Sequence, residues 1–166
     1  MEEVIKMKNR VIDVLRKDAR KTPKQLATLL GRKEEAVKNE IKGLEKKGIL
    51  LSYTAVVNRE KLDKDYVQAL IEVKVKPEKD VGYEAVAERI SKFKEVSDLY
   101  LVSGEYDFLV VVEGNSMKEV SFFVAKKLAP LEQVTSTATR FVLKQYKQAG
   151  IQFFEGEKAK RLMVSP

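Results

Sequence analysis

Arg32, Lys33, Lys38, Lys42, Lys46 and Lys47, with Asn39 among them, are the side chains of this sequence best spaced to act on a partner. At 100° per residue, Glu35, Lys38, Asn39, Lys42 and Lys46 gather on one side of a helix, and Val37, Ile41 and Leu44 fall on the other. Such a face can bind a polyanion. Arg32, Lys33, Lys46 and Lys47 suit phosphate oxygens, and Asn39 carries the donor–acceptor pair that matches an adenine edge. Glu35, at the tip, can accept from the amino group of cytosine. The same residues have a plainer reading. Glu34 and Glu35 stabilise a helix N-terminus through its dipole, at about 0.3–1 kcal/mol each, and can pair with Lys38 and Asn39 one turn on.

Composition narrows the chemistry further. The 166 residues include no histidine, cysteine or tryptophan. That removes the imidazole base, the Cys or Ser nucleophile paired with it, thiolate chemistry and ordinary zinc sites. No cofactor is expected, and binding is favoured over catalysis. The formal charge is +7, unevenly placed: residues 1–60 hold 15 Lys/Arg against 9 Asp/Glu, whereas 61–166 hold 17 against 16. The excess sits where the lysine-bearing face lies, as a polyanion partner requires. No apolar run is long enough to span a membrane, and the N-terminus lacks a signal-peptide pattern, so a cytoplasmic location without a membrane partner is expected.

The elements that must position this face are legible around it. Residues 4–18 set Val4, Met7, Val11 and Leu15 on one helical stripe, with Ile5 and Ile12 beside it. Thr22, Pro23 and Gln25 form a helix start with a capping box; Leu26, Leu29 and Leu30 are expected to face inward, and Gly31 to end the helix. A third helix should run from about Glu34 to Lys47 and close at Gly48. "ILLSY" and "TAVVN" suggest a small β wing. The charged stretch 59–65 reads as a linker. Beyond it the period drops to two in "VQALIEVKV", with a stop at Pro77. An amphipathic helix through Val86, Ile90 and Phe93 follows, then strands "VSDLYLVSG" and "YDFLVVVEG". Ser116 and Glu119 suggest a second capping box, opening a helix that ends at Pro130, before a last strand in "VTSTATRFVLKQY". The fold class is α+β: an N-terminal winged helix-turn-helix, then a ferredoxin-like βαββαβ sandwich. The expected divisions are 1–58, a linker 59–65, 66–147, and a C-terminal tail 148–166 whose Phe153 and Phe154 should pack on something. In the turn between the middle strands, Gly104 suits positive φ, Asp107 local hydrogen bonding and Tyr106 packing.

Four stretches in order, "LRKDARKTPKQLA", "GLEKKGILLSYTAVVN", "LVSGEYDFLVVV" and "TSTATRFVLKQYK", resemble the Lrp/AsnC (feast/famine) family of transcriptional regulators over about residues 4–147. The resemblance implies a regulator that binds double-stranded DNA as a homodimer, often assembled further. It also implies a small effector, usually an amino acid, held between the sandwich domains. On that reading Gly104, Tyr106 and Asp107, with Thr135 and Thr137 of the last strand, are candidate effector-binding residues: glycine-turn N–H groups and hydroxyls for the carboxylate, Asp107 for the ammonium.

The sequence departs from the family pattern where DNA is read. The family commonly has Leu-Ser after the glycine that ends the second helix, and here Arg32-Lys33 stand there. A family arginine is Glu40, and a frequent second basic residue is Gly43. Two alternatives therefore stay open. One is a co-assembling subunit with weakened DNA contacts. The other is an enzyme on the sandwich, like the haem-pathway decarboxylases that share the architecture but lean on histidine.

Overall fold

The computed structural model describes residues 2–62, 65–76 and 82–154, with side chains from Arg10 onward within those spans. The chain splits into two compact units between Ala55 and Val56. The first holds helices α1 (Glu2–Lys17), α2 (Pro23–Leu30) and α3 (Glu34–Lys46). Val11, Leu15, Leu26, Ala27 and Val37 form its buried centre, with Val14, Leu30, Ile41 and Leu50 packed around them. The side chains of Val4, Ile5 and Met7 lie outside the described residues.

Local chemistry sets the start and stop of α2. Thr22 Oγ1 accepts from Gln25 N, while Gln25 Oε1 accepts from Thr22 N at 2.9 Å, closing the expected box. Gly31, at φ 63°, ends the helix in the left-handed region. Arg32 N then donates to Ala27 O at 2.9 Å, the six-residue closure that completes a Schellman cap. Leu29 departs from expectation: it is 60% exposed, and Ala27 takes the inward place. The wheel explains this. Leu26, Ala27 and Leu30 span one 100° arc, and Leu29 lies about 110° from its centre.

Two further expectations need correction. Residues 51–58 belong to no strand and are mostly exposed, so the wing is absent from the described chain. A lone extended run without a hairpin partner leaves its N–H and C=O groups to water. The stretch 59–65 is not wholly linker, because Arg59–Leu62 form a helical turn, α4. Arg59 reaches Glu113 at 3.9 Å and lies over the Tyr66 ring, so α4 is fastened to the second unit.

That unit is an antiparallel sheet in the order β2-β3-β1-β4, with β1 (Val67–Val75), β2 (Val96–Leu101), β3 (Phe108–Gly114) and β4 (Val134–Phe141). Helices α5 (Gly82–Ser91) and α6 (Met117–Phe123) cover one face. Ala69, Ile71, Val73, Phe108, Val110 and Val112 meet Val86, Ile90, Val120, Phe123 and Leu128 there. Fully burying each large member stabilises by about 1.5–3 kcal/mol. Register puts Leu70, Glu72, Leu109, Val111, Tyr100, Ala138 and Arg140 on the opposite face. α6 continues into a wider π-turn, Val124–Leu128, in which Ala129 N bonds Val124 O. Ser116 caps α6 through Glu119 N, but Glu119 reaches back to Asn115 N rather than to Ser116. The last strand stops at Phe141, short of the expected Tyr146. A small hairpin, β5 (Lys147–Gln148) and β6 (Ile151–Gln152), follows, and Phe154 stacks on Tyr146 with ring centroids 5.6 Å apart. The expected stop at Pro77 and the rest of the tail lie outside the described residues.

Candidate nucleic-acid interface and effector turn

Helix α3 starts at Lys33, whose side chain makes no capping bond. The orphan N–H groups there have instead the acidic first turn, Glu34 and Glu35, to offset the dipole. Glu34 bonds Lys38 at 3.0 Å, and this hydrogen bond raises the Lys38 pKa above its ordinary value. Lys33, Glu35, Lys38, Asn39, Lys42, Lys46 and Lys47 are all exposed. Lys33, Lys42, Lys46 and Lys47 make no ion pair among the described residues. The lysine-bearing side of α3 is therefore bare within its own unit.

Arg32 is placed differently from the rest of the set. Its side chain is 21% exposed and its guanidinium bonds Glu40, whose side chain is only 11% exposed. Glu40 lies at the margin of the buried stripe, turned away from the Asn39–Lys42 arc. Two of the departures from the family pattern, Arg32 and Glu40, thus meet in space. Of the acids on the exposed side of α3, Glu34 bonds Lys38 and Glu45 accepts from Tyr53, which leaves Glu35 without an ion pair among the described residues. Lys24 and Gln25, not singled out as contacts from the sequence, line a shallow surface cavity on α2 with Thr28 and Leu29.

The second set of candidates comes together at one end of the sheet. Val73 of β1 faces Phe108 on one side and Thr137 on the other, so the 104–107 turn and the start of β4 flank the same strand end. Gly104 has φ 143°, in the region that favours glycine. Asp107 is held from three directions. Its N–H donates to Val73 O at 3.0 Å, its Oδ2 accepts from Val75 N at 2.8 Å, and its Oδ1 accepts from Tyr83 Oη at 3.1 Å. That last bond raises the Tyr83 pKa. The carboxylate works as a clamp between β1, β3 and α5. Tyr106 is half-buried, and Thr135 is exposed at a bulge, donating to Lys74 O at 3.1 Å. Thr137 is half-buried on the helix-facing side of β4. Beside them, Arg140 makes a two-pronged bond to Glu72 at 2.9 and 3.0 Å.

Residues 68–151 match the family model described as the Lrp/AsnC ligand binding domain. The HTH-type transcriptional regulator YugG of Bacillus subtilis is 42% identical over 157 residues, covering 94% of this chain and 95% of that protein. The chain belongs to the Lrp/AsnC family of transcriptional regulators. LrpA of Pyrococcus abyssi is 32% identical, over 82% of this chain and 94% of its own length. Among solved structures, the regulator NMB0573 of Neisseria meningitidis in complex with L-Met is 28% identical, with a TM-score of 0.71 over 85% of this chain and 90% of that one. E. coli AsnC shares the fold with a TM-score of 0.68 at 21% identity, over 86% of this chain and 94% of that one. No helix among the described residues is long and apolar enough to cross a membrane.

Proposed function

We propose that this Lrp/AsnC regulator reads duplex DNA with the exposed arc of α3, as a homodimer paired through its sandwich unit. The unit ending at Ala55 serves as the DNA-binding domain, and the sandwich as the effector-binding and assembly domain. The observation that carries the reading is the bare arc itself. Lys42, Lys46 and Lys47 stand unpaired beside Asn39 at the edge of a unit that holds most of the chain's positive excess. Lysines on this arc, Lys42 among them, bind phosphates, Asn39 reaches a base edge, and Lys33 stands by the helix tip. A single unit of this kind reads few base pairs, so two copies on a pseudo-palindromic site give useful specificity. The outer sheet face favours self-pairing: Leu70, Leu109, Val111 and Tyr100 line it, and a second sheet can cover it.

An amino acid is the effector class we favour, since the Neisseria relative was solved with L-methionine. It would sit near the 104–107 turn and use backbone N–H groups and the Thr135 hydroxyl. Asp107 organises that turn. The reading is one of binding rather than catalysis, in the cytoplasm where the DNA is. A co-assembling subunit with decayed DNA contacts is the less favoured reading, because Glu34 and Glu40 are both neutralised by partners.

The test is affinity for duplex DNA across a salt series. A reader shows log K falling with log salt at about −0.9 per phosphate contacted. A flat response over 50–200 mM would leave the DNA reading without support.

A further inference from the structure

Arg32 and Glu40 lie eight positions apart, on either side of the turn that joins α2 to α3. Arg32 occupies the second position past the end of α2, where its N–H closes the Schellman cap onto Ala27 O. That position usually carries an apolar side chain packed back on the helix it follows. Here the position carries an arginine, and its charged head turns to the second turn of α3. Glu40 Oε1 is buried and accepts no hydrogen bond among the described residues, while Oε2 takes the guanidinium. Both side chains are largely withdrawn from solvent, at 21% and 11% exposure.

A pair in this setting is poorly explained by stability. Desolvating two charges roughly cancels their attraction, and an apolar pair of similar volume serves as well or better. What the ion pair supplies is direction. A directed, charge-assisted hydrogen bond from Arg32 Nη1 to Glu40 Oε2, between the cap of one helix and the body of the next, constrains the angle at which the second leaves the turn. Asn39, Lys42 and Lys38 flank Glu40 in sequence, so that angle decides where they meet a groove.

We infer that Arg32 and Glu40 are positioning residues for operator reading: their ion pair sets the pose of α3, and neither side chain contacts DNA. The inference rests on the DNA-binding reading above. It also gives two of the departures from the family pattern, Arg32 and Glu40, one explanation, as a coupled exchange.

The test uses the full chain and two probes of equal length: a duplex bearing the tightest site recovered from a randomised library, and a random-sequence duplex. Glu40→Gln, Arg32→Gln and the charge swap R32E/E40R are compared with the parent, each at least 15 °C below its own Tm. Loss of one well-placed base contact weakens discrimination by roughly 5- to 150-fold. We expect each single variant to lose about tenfold in the ratio of selected-site to random-duplex affinity. The swap should return to within about threefold of the parent. Arg32→Gln should leave the salt slope unchanged. An unchanged ratio in the single variants overturns the inference, as does a swap that fails to rescue. A salt slope that drops by about 0.9 in Arg32→Gln also overturns it, since it marks Arg32 as a direct phosphate contact. Should a single variant fail to fold, the swap alone decides. A parent chain with no salt-dependent duplex binding would instead remove the DNA reading itself, a different and separable failure.

Discussion

Replacing Asp107 by alanine separates a structural carboxylate from a ligand-binding one. The side chain accepts from Val75 N, in a residue only 7% exposed, and from the half-buried Tyr83 hydroxyl. Losing the first leaves a buried donor without an acceptor, which costs about 1–3 kcal/mol. Losing the second costs about 0.5 kcal/mol, because the tyrosine can turn to water. The sum is roughly 2–3 kcal/mol. For a sandwich of this size that lowers Tm by about 8–15 °C. Asp107→Asn keeps one acceptor oxygen for Val75 N and should cost about 1 kcal/mol. Tyr83→Phe should cost less still, and in combination with Asp107→Ala should add almost nothing, since the two share one bond. Calorimetry resolves the melting of the two units. Isothermal titration with a panel of amino acids then reads binding to the folded variants. The clamp assignment is refuted if Asp107→Ala moves the sandwich transition by less than about 2 °C while Asp107→Asn abolishes amino-acid binding. That pattern would mean the carboxylate faces a ligand ammonium and not the frame.

Three other outcomes are expected. Thr22→Ala removes the hydroxyl half of the α2 capping box, leaving the bond from the backbone N–H of residue 22 to Gln25, and should lower the stability of the first unit by about 1 kcal/mol, seen in its urea midpoint; no shift would mean the hydroxyl bond is idle in solution. Lys42→Glu should weaken selected-site and random-duplex binding alike by tenfold or more and reduce the salt slope by about 0.9. A variant that binds as the parent does would place Lys42 off the interface. The Arg140 hydrogen bond holds the Glu72 pKa below the ordinary glutamate value, so its contribution is present above that ordinary value and lost as pH falls through the folded one. Glu72→Gln should flatten the decline in sandwich stability between about pH 5 and pH 3; equal slopes in the two proteins would show the pair carries nothing.

Features that depend on near neighbours were readable in the sequence. Thr22 and Gln25 are three residues apart, and the box they form needs no tertiary help. The alternating run from Val67 to Val75 shows which side faces the helices. Leu29 was misjudged because an eight-residue helix offers three leucines for two inward places, and the small Ala27 fits closest to its neighbours. The wing was over-read, because β-prone composition at 49–57 cannot supply a pairing partner. The bonds that define the candidate sites run across the fold. Asp107 meets Tyr83 and Val75 from 24 and 32 residues away, and Arg32 meets Glu40 over a turn whose geometry had first to be known. Taken singly, Glu40 is the loss of a family arginine and Arg32 a residue suited to phosphate. Together they form one ion pair.

Tyr53 bonds Glu45 of the first unit and Arg59 pairs with Glu113 of the second, so the chain between those two anchors is residues 54–58. Five residues pulled straight reach roughly 17 Å. On the proposed reading, so short a tether keeps each reading head at high effective concentration once its twin has landed, and it limits the gap that a pair can straddle.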